Sequence, residues 1–440
     1  MLIEFSVGNF GPFKETVTLS LIAAKIRSRN KRLDQDNVIR IDDDLSLLRS
    51  IAIYGANASG KSKFVAAASF MRRFVRKSFQ NTAFDAGIDV EPFRLSTETQ
   101  NQPSFFEVVF LVNGQQYRYG FTADAQSVKT EWLYTVPKER EIKLFERTGQ
   151  EIFPNPSHAQ AKEFRTIRSL LARVNANQPL RPNALFLTIA AQNNGPVAQQ
   201  ILTWFGSMRF MSGISDSSFS SFTLEMFEDP EKRARIIELV QALDVGIHDI
   251  EMRRRERAQA IQEAPELMRD LLEKFTSGDV YEIATRHKKL DATGQMVGYE
   301  TLDMGVHESE GTRKLFFMSG PLIDTLGQGR ILWVDEMDAR LHPNIIEAIV
   351  GLFNSPLSNP KGAQIIFTTH DTNLLNIKKL RRDQIWFVEK NRQAASQLYS
   401  LVEFKIRNDD FSLEQDYIQG RYGAVPHIGE LQLTTEEEQS

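Results

Sequence analysis

Residues 55–62 read Gly55-Ala56-Asn57-Ala58-Ser59-Gly60-Lys61-Ser62, a complete Gly-x4-Gly-Lys-Ser phosphate-binding loop. The apolar run before this loop, residues 47–54, predicts a buried strand, and residues 63–74 after it predict a helix. This context separates a working loop from a chance match, because glycine-rich backbone N–H groups and a helix N-terminus both attract phosphate. We therefore predict that the chain binds a nucleoside triphosphate.

Each residue type in this loop suits a part of a magnesium-bound triphosphate. Lys61 is expected to reach the β- and γ-phosphates, and the Ser62 hydroxyl is expected to bind Mg²⁺. ATP and Mg²⁺ are therefore the expected cofactors. The other predicted phosphate contacts of the loop are Gly55, Asn57, Ser59 and Gly60.

Composition limits the class of protein. The chain has 440 residues, more than one hydrophobic core usually serves, so two lobes are expected. It contains no cysteine, which excludes disulfides, thiolate zinc sites and cysteine nucleophiles. A net charge of −4 does not by itself argue for nucleic-acid binding, although a local basic patch stays compatible with it. The chain shows no signal-peptide pattern and no long apolar run, so a cytoplasmic location without a membrane span is expected.

The order of strand and helix patterns predicts an α/β fold with a large insertion. Strand patterns at 105–112 and 116–121 flank Asn113-Gly114, a strong hairpin signal, whereas residues 157–280 look mainly helical. Strand patterns return at 330–334, 364–368 and 384–389, separated by helical stretches, which indicates a parallel core with pieces at both ends of the chain. The predicted division is an N-terminal head segment with a β-rich subdomain, a mainly helical insertion and a C-terminal head segment, at residues 1–134, 135–300 and 301–440.

Two carboxylates follow a later apolar strand. Residues 331–336 read Ile331-Leu332-Trp333-Val334-Asp335-Glu336. In a protein with a phosphate-binding loop, the first carboxylate, Asp335, holds Mg²⁺ through water or Ser62, and the second, Glu336, polarises a water for in-line attack on the γ-phosphate. On its own, an apolar run followed by Asp-Glu is commonly an ordinary strand end. Together with the loop at residues 55–62, it predicts a hydrolytic site.

A helix start rich in small polar residues lies upstream of these carboxylates. Glu308-Ser309-Glu310-Gly311-Thr312 precedes a helical run, so the Ser309 hydroxyl and free backbone N–H groups near Gly311 could bind an anion. A plain helix N-cap is the alternative. A phosphate-binding loop, an insertion, a Ser-x-Gly helix start, an Asp-Glu strand and a histidine follow one another as in ABC-type ATPases. In those proteins the serine motif contacts the γ-phosphate bound to the other subunit.

The histidine of that order is His370, at the end of the next apolar strand. There it could hydrogen-bond the γ-phosphate or the attacking water, and a polar strand terminus is the alternative. Asp338 falls where a dimer-bridging loop would follow the catalytic carboxylate. For His342-Pro343, a capped turn before a helix is an equally good interpretation.

With these motifs in place, the chain resembles the ABC-type AAA ATPases of bacterial and archaeal phage-defence operons. These are relatives of the overcoming-lysogenisation-defect nucleases and of the RecF and SMC heads. The resemblance is nearest to the stand-alone ATPases of the RloA type, with the Septu and PARIS ATPases as cousins. It covers nearly the full length but is diffuse over residues 135–300. The residues that carry it are Phe5–Phe13, Gly55–Ser62, Glu308–Thr312 with Lys314–Phe316, Asp335–Pro343, Phe367–Asp371, Leu380–Phe387 and Gly420–Pro426.

The resemblance implies an ABC-type P-loop ATPase head of mixed and parallel sheets with flanking helices. It further implies that Lys61 and Ser62 bind phosphate and magnesium, that Asp335 is a magnesium carboxylate, and that Glu336 is the general base. Ser309 and Gly311 become the signature that acts on the partner's nucleotide, and His370 becomes the switch.

The chain departs from the transporter pattern in two ways. Transporter-type ATPases carry a glycine-glycine-glutamine signature where this chain has Glu310-Gly311-Thr312. The magnesium-sensing glutamine has no clear counterpart, since Gln80 is only a weak candidate that fits a solvated helix better.

The leading hypothesis is therefore an ATP-sandwich homodimer that controls a separate effector, such as a nuclease, in anti-phage defence. Assembly of these dimers into higher oligomers is compatible with this hypothesis. Only about 70 residues follow His370, too few for a nuclease domain. Asp409-Asp410 and Glu414 are therefore expected to be surface charges. The alternatives are a RecF-like DNA-maintenance ATPase, a scaffold that scarcely hydrolyses ATP and, least favoured, a transporter ATPase. Basic runs at residues 71–77 and 252–257 could contact DNA or RNA, although a solvated helix face is the more ordinary explanation for each.

Overall fold

The computed structural model gives the fold of most of the chain. It describes residues 1–28, 30–78, 87–137, 140–174, 180–215, 219–243, 246–256, 258, 262, 280–405 and 413–426.

The described strands form four sheets. In chain order they are β1 (Leu2–Gly8), β2 (Val17–Ser20), β3 (Val38–Arg40), β4 (Ser46–Leu48), β5 (Ser50–Tyr54), β6 (Ser104–Val112), β7 (Gln115–Ala123), β8 (Val128–Val136), β9 (Ile142–Thr148), β10 (Glu151–Pro154), β11 (Met208–Ser212), β12 (Ile247–Arg255), β13 (Val280–Leu290), β14 (Met296–Asp303), β15 (Ile331–Asp335), β16 (Gln364–Thr368), β17 (Ile385–Lys390) and β18 (Ser396–Ser400).

A six-stranded sheet forms the core, in the order β11-β15-β16-β5-β17-β18. The first five strands are parallel, and β18 pairs antiparallel at one edge. Within β5, Ile51 and Ile53 pack into one hydrophobic cluster, whereas Ala52 and Tyr54 pack into another on the opposite face. Alternate residues of a strand point to opposite faces, so a strand with both faces covered reads as a continuous apolar run. The predicted parallel core from both ends of the chain is confirmed.

Strand β11 was not predicted. It lies inside the stretch that the sequence indicated as mainly helical, and it pairs in parallel with β15, so that Ser212 stands opposite Asp335. Five residues that follow a helix without an intervening turn residue give no strand signal of their own. Pairing with β15 is a tertiary contact, and it is this contact that extends the core sheet.

Helices flank the core sheet. The phosphate-loop helix, Lys61–Lys77, begins directly after the glycine-rich loop and buries Phe64, which packs edge-on against Phe5. The signature helix, Glu310–Gln328, begins at Ser309. The other described α-helices are Lys31–Asp36, Lys162–Val174, Phe186–Gln192, Pro196–Ser207, Ser220–Phe227, Pro230–Leu243, Met304–His307, Pro343–Asn354 and Leu413–Ile418.

A seven-stranded antiparallel sheet covers the other side of the phosphate-loop helix, in the order β10-β9-β8-β7-β6-β1-β2. The predicted hairpin at Asn113-Gly114 is confirmed, and both residues have positive φ, +50° and +74°. The sheet continues to Pro154, twenty residues past the predicted boundary at residue 134, because β9 and β10 extend it strand by strand. Both sheets together confirm the predicted α/β class with mixed and parallel sheets.

A buried ion pair lies within the seven-stranded sheet. Glu131 and Arg147 are fully buried, with 3.4 Å between Arg147 Nη1 and Glu131 Oε2. The backbone N–H groups of Phe186 and Leu187 donate to the Glu131 carboxylate at 2.7 and 2.9 Å, and the Tyr119 hydroxyl donates at 3.0 Å. This carboxylate therefore ties the sheet to the helix Phe186–Gln192, with its hydrogen-bonding capacity used.

The described part of residues 135–300 contains strands as well as helices. A three-stranded antiparallel sheet, β12-β13-β14, follows the helix Pro230–Leu243 and precedes the signature helix. The boundary at residue 300 falls inside β14. The described helices include none that is both long and apolar enough to cross a bilayer.

Candidate nucleotide-binding site

The phosphate loop turns sharply at Gly60. This residue has φ +117° and ψ +4°, and it precedes the first residue of the phosphate-loop helix. A Cβ at this position would lie 2.8 Å from Ser396 Oγ and 2.9 Å from Pro12 Cγ. Only glycine fits both the backbone angle and this space. The helix N-terminus therefore opens directly onto the loop, where an anion is stabilised.

The Lys61 side chain folds back over the loop. Its Nζ donates to the carbonyl oxygens of Gly55 at 2.7 Å and Ala56 at 3.2 Å. Burial lowers the pKa of Lys61, and the nearby carboxylates of Glu336, Asp335 and Asp338 oppose that shift. An ammonium group held only by backbone carbonyls can exchange them for phosphate oxygens, which carry full charge.

Thr368 connects the Asp335-Glu336 pair to the neighbouring strand. The Thr368 hydroxyl donates to Asp335 Oδ1 at 2.7 Å and accepts from the Glu336 backbone N–H at 2.7 Å. Glu336 has φ +51°, a left-handed conformation that is uncommon for a residue with a side chain. Such conformations persist where neighbouring contacts hold them, and they concentrate at functional sites.

The structure brings His370 next to Asp338. The His370 backbone N–H donates to Asp338 Oδ2 at 3.1 Å. Burial lowers the pKa of His370, with the Lys61 charge acting in the same direction, while Asp338, Glu336 and Asp335 oppose the shift. The imidazole is therefore neutral at neutral pH and can accept or donate a hydrogen bond.

Lys61, Glu336 and His370 meet at a cleft of about 390 Å³, whereas the predicted residues Gly55, Asp335 and Asp338 are not among those that line it. Of the predicted residues, Asn57, Ser59, Gly60, Lys61, Ser62, Glu336 and His370 line the cleft. Residues that were not predicted as site residues line it as well, namely Gly11, Pro12, Ala58, Lys63, Glu91 and Lys390. The first two fall within Phe5–Phe13, one of the stretches that carry the family resemblance, and this was a visible signal. No sequence pattern indicated Lys390, because this residue lies near the loop only through the pairing of β17 with β5.

Ser309 and Gly311 do not line this cleft. Ser309 is exposed at the start of the signature helix, and its Oγ accepts from the Thr312 backbone N–H at 3.1 Å, so it is the N-cap that the alternative interpretation described. A Cβ on Gly311 would lie 2.8 Å from the Arg340 carbonyl oxygen. His342 similarly caps the helix Pro343–Asn354 through its Nδ1, 3.2 Å from the Asn344 backbone N.

Contacts on both sides fix the position of Ser309. Before it, the Glu308 carboxylate accepts from Thr285 Oγ1 at 2.5 Å and lies 2.7 Å from His287 Nε2, both on β13. After it, the fully buried Lys314 donates to the carbonyl oxygens of Met337, at 3.4 Å, and Ala339. Sequence reasoning assigned no role to Lys314, although a lysine directly before the apolar Leu315–Met318 run was a signal.

The Lys314 contact joins two predicted motifs in one chain. Met337 and Ala339 belong to the loop that follows Glu336, and Arg340 in the same loop lies 3.2 Å from Glu310. The start of the signature helix is thus held to the loop that leaves the catalytic carboxylate.

The residues present fit a magnesium-bound triphosphate. Ser62 is exposed at the cleft, Asp335 Oδ2 is not used by Thr368, and the buried Ser59 Oγ has no hydrogen-bond partner. A hydroxyl and one carboxylate suit Mg²⁺, which keeps waters and takes phosphate oxygens. Among the described residues there is no cluster of three or more His, Asp or Glu side chains that could hold a metal ion.

Several predicted features lie outside the described residues. These are Gln80, Arg257 of the second basic run, and Asp409-Asp410. Glu414 is half-buried and accepts from Thr372 Oγ1 at 2.5 Å, so this carboxylate has a hydrogen-bond partner within the fold.

The fold and the phosphate loop define a P-loop protein of the nucleotide-hydrolysing AAA class. Residues 50–376 match the family model "AAA domain, putative AbiEii toxin, Type IV TA system", which covers well over half of the chain, so the chain belongs to this family. Among solved structures, the SMC head domain from Thermotoga maritima aligns with a TM-score of 0.39 and 12% identity, over 92% of this chain and 99% of that chain. No curated protein matches.

Proposed function

We propose that this protein is a Mg²⁺-dependent ATP hydrolase that works as a homodimer with two nucleotides sandwiched between the copies. The observation that carries the proposal is the separation of its parts. Lys61, Glu336 and His370 meet at one cleft, whereas Ser309 and Gly311 lie outside it at the N-terminus of a 19-residue helix, where Ser309 is exposed and Gly311 is half-buried. An exposed N-terminus attracts anions, so it suits the triphosphate held by a second copy.

In this scheme each residue of the cleft has a distinct part. Lys61 neutralises charge on the β- and γ-phosphates, and Glu336 takes a proton from the attacking water. Neutral His370 hydrogen-bonds the γ-phosphate or that water. Ser62 and Asp335 would hold Mg²⁺, which supplies charge neutralisation at the phosphate oxygens. Ser309 and Gly311 of the second copy complete the site, and Asp338 bridges the copies. Turnover then depends mainly on positioning and preorganised charge.

We further propose that the dimer senses infection and controls a separate effector, such as a nuclease, in anti-phage defence. The family description refers to a toxin of a type IV toxin–antitoxin system, which supports a role in which ATP state restrains a harmful activity. The three-stranded sheet is the natural route for such control, because Thr285 and His287 on β13 contact Glu308 next to Ser309.

A Glu336→Gln variant tests the proposed function. It keeps the size of the side chain and one acceptor oxygen but cannot act as a base, so we expect MgATP turnover to fall about 100-fold or more. ATP affinity, measured by calorimetry, should be retained. Light scattering should show that the variant accumulates as a dimer with MgATP.

Glu238→Gln is the matched control, because Glu238 is exposed on the helix Pro230–Leu243, away from the cleft. It should hydrolyse ATP as the unmodified protein does. If Glu336→Gln turned over ATP at the unmodified rate, Glu336 would not be the base. If MgATP left the variant monomeric, the sandwich would be wrong.

A further inference from the structure

A basic surface lies at the far end of the phosphate-loop helix from the phosphate loop. At about 1.5 Å per residue, the helix Lys61–Lys77 carries its last turns roughly 20 Å from the cleft. Arg209 at the start of β11 and Arg330 just before β15 lie on the same side. We call this set the arginine surface, and its members are Arg72, Arg73, Arg76, Lys77, Arg209 and Arg330.

Few carboxylates neutralise the arginine surface. Asp324 is shared by Arg209, at 3.3 Å, and by Arg330. The four cations on the phosphate-loop helix form no ion pair with any residue that the structure describes.

Arg72 shows that these cations crowd one another. Its guanidinium lies 5.9 Å from the ring centre of Phe210, and its buried Nε has no hydrogen-bond acceptor. Burial lowers the pKa of Arg72 to about 10, and the charges of Arg76, Arg209 and Arg73 act in the same direction. An anion bound beside these cations would relieve this repulsion.

A groove of about 680 Å³ runs beside these side chains. Its lining includes the cations Arg76 and Arg330, the amides Gln192 and Gln328, and the hydroxyls of Thr203 and Ser207. No Asp or Glu lines the groove among the described residues. Guanidinium, amide and hydroxyl groups are those that most often contact phosphodiester oxygens.

Helix ends do not account for all of this charge. The helices ending at Lys77, Ser207 and Gln328 each bring a C-terminal partial charge of about −0.5 to this region. Cations there compensate helix dipoles in many proteins. The six cations outweigh the three helix ends and the one carboxylate, so this region keeps a positive charge. The whole chain, in contrast, carries a net charge of −4.

The surroundings favour a nucleic acid over an acidic protein. Protein interfaces usually have an apolar centre with charges at the rim. None of the described exposed large apolar side chains lines this groove; they lie elsewhere, as at Leu290, Val297 and Leu357. Single strands are usually bound by stacking on aromatic side chains, and none lines the groove among the described residues. Duplex recognition needs only backbone contacts.

We propose that the arginine surface binds the phosphate backbone of a duplex nucleic acid, without reading its sequence. Binding there would place a polyanion against the helix that starts at the nucleotide cleft. The site is separate from the proposed sandwich surface, so duplex binding and ATP turnover can succeed or fail independently.

The test is fluorescence anisotropy of the full chain with labelled DNA and RNA duplexes over a range of salt concentrations. The variant is Arg73→Gln/Arg76→Gln/Lys77→Gln, whose three side chains are exposed, so the fold should be retained. Lys31→Gln/Lys288→Gln/Lys378→Gln is the matched control, because it removes the same charge from exposed positions on three other segments. MgATP turnover and thermal melting verify that both variants are intact.

We expect the unmodified protein and the control to bind a duplex with affinity that falls steeply with salt. The surface variant should bind about tenfold or more weakly, with the log–log salt slope reduced by about 2–3. If the protein binds both duplexes, or only one of them, through these residues, the proposal is supported. The comparison then identifies whether the ligand is DNA, RNA or either. Equal binding by the surface variant and the control would overturn it. Polyglutamate bound through the same residues as tightly as a duplex would also overturn it, in favour of an acidic protein partner.

Discussion

Two glutamates, the buried Glu131 and the half-buried Glu336, differ in how many partners their carboxylates have. Glu131, in the seven-stranded sheet, has an arginine, a tyrosine hydroxyl and two backbone N–H groups as partners. Glu336, at the end of β15, has its backbone held in a left-handed conformation while its side chain lines an open cleft. The difference teaches that a satisfied buried charge stabilises a fold, whereas a charge held in place without partners is available for chemistry.

Breaking the Glu131 network gives the largest expected effect. Glu131→Ala leaves Arg147 buried without its carboxylate, so the free energy of unfolding should fall by about 3–5 kcal/mol in urea titrations. The remaining folded protein should have an unchanged KM for ATP, because the network lies away from the cleft. Glu300→Ala, which breaks an exposed pair with Lys289, is the control and should cost at most about 1 kcal/mol. Equal losses in the two variants would contradict the distinction.

Lys314 is a second test of this comparison. This buried lysine has hydrogen-bond acceptors, as Glu131 has partners, yet it also joins the signature helix to the loop after Glu336. Lys314→Met should lower kcat about tenfold while KM for ATP changes little, since the phosphate loop is untouched and only the positions of Ser309 and the loop after Glu336 are disturbed. A purely structural role would instead lower the free energy of unfolding with kcat of the folded fraction unchanged. Lys314→Arg, which retains a donor, should recover part of kcat.

The smallest effect concerns His370. Its pKa is lowered in the folded chain, so the folded chain binds fewer protons than the unfolded chain just below the ordinary value of 6.5. The free energy of unfolding should therefore fall as pH falls through 6.5, and His370→Gln should remove that part of the dependence. Urea midpoints of both proteins at about pH 7.5 and about pH 5.5 measure it. If the free energy of unfolding fell more steeply in His370→Gln than in the unmodified protein, folding would raise the pKa of His370 rather than lower it, which would contradict this account.

The same contrast explains how far the sequence could predict the molecule. The phosphate loop, its helix and the strands ending at Asp335 and Thr368 were predictable, because local spacing and apolar runs encode them. The Asn113-Gly114 hairpin was predictable for the same reason.

Features that depend on distant pairing were not predictable. Strand β11 exists because it pairs with β15, and Lys390 reaches the cleft only through the pairing of β17 with β5. Lys314 gave only a weak signal, since the carbonyls that it contacts belong to a loop more than twenty residues away. Local patterns identify chemistry-bearing residues, whereas tertiary structure decides which of them meet.

The central claim is that each nucleotide is held by two copies, and mixing two inactive variants tests it most directly. Lys61→Met removes the phosphate-loop cation. Ser309→Asp keeps an N-cap acceptor but sets a negative charge against the triphosphate, and Ser309→Asn is its neutral control. In a mixed dimer one site carries both defects and the other carries none, so mixing equal amounts should restore about a quarter of the unmodified turnover. Mixtures that stay as inactive as either variant alone would contradict the sandwich.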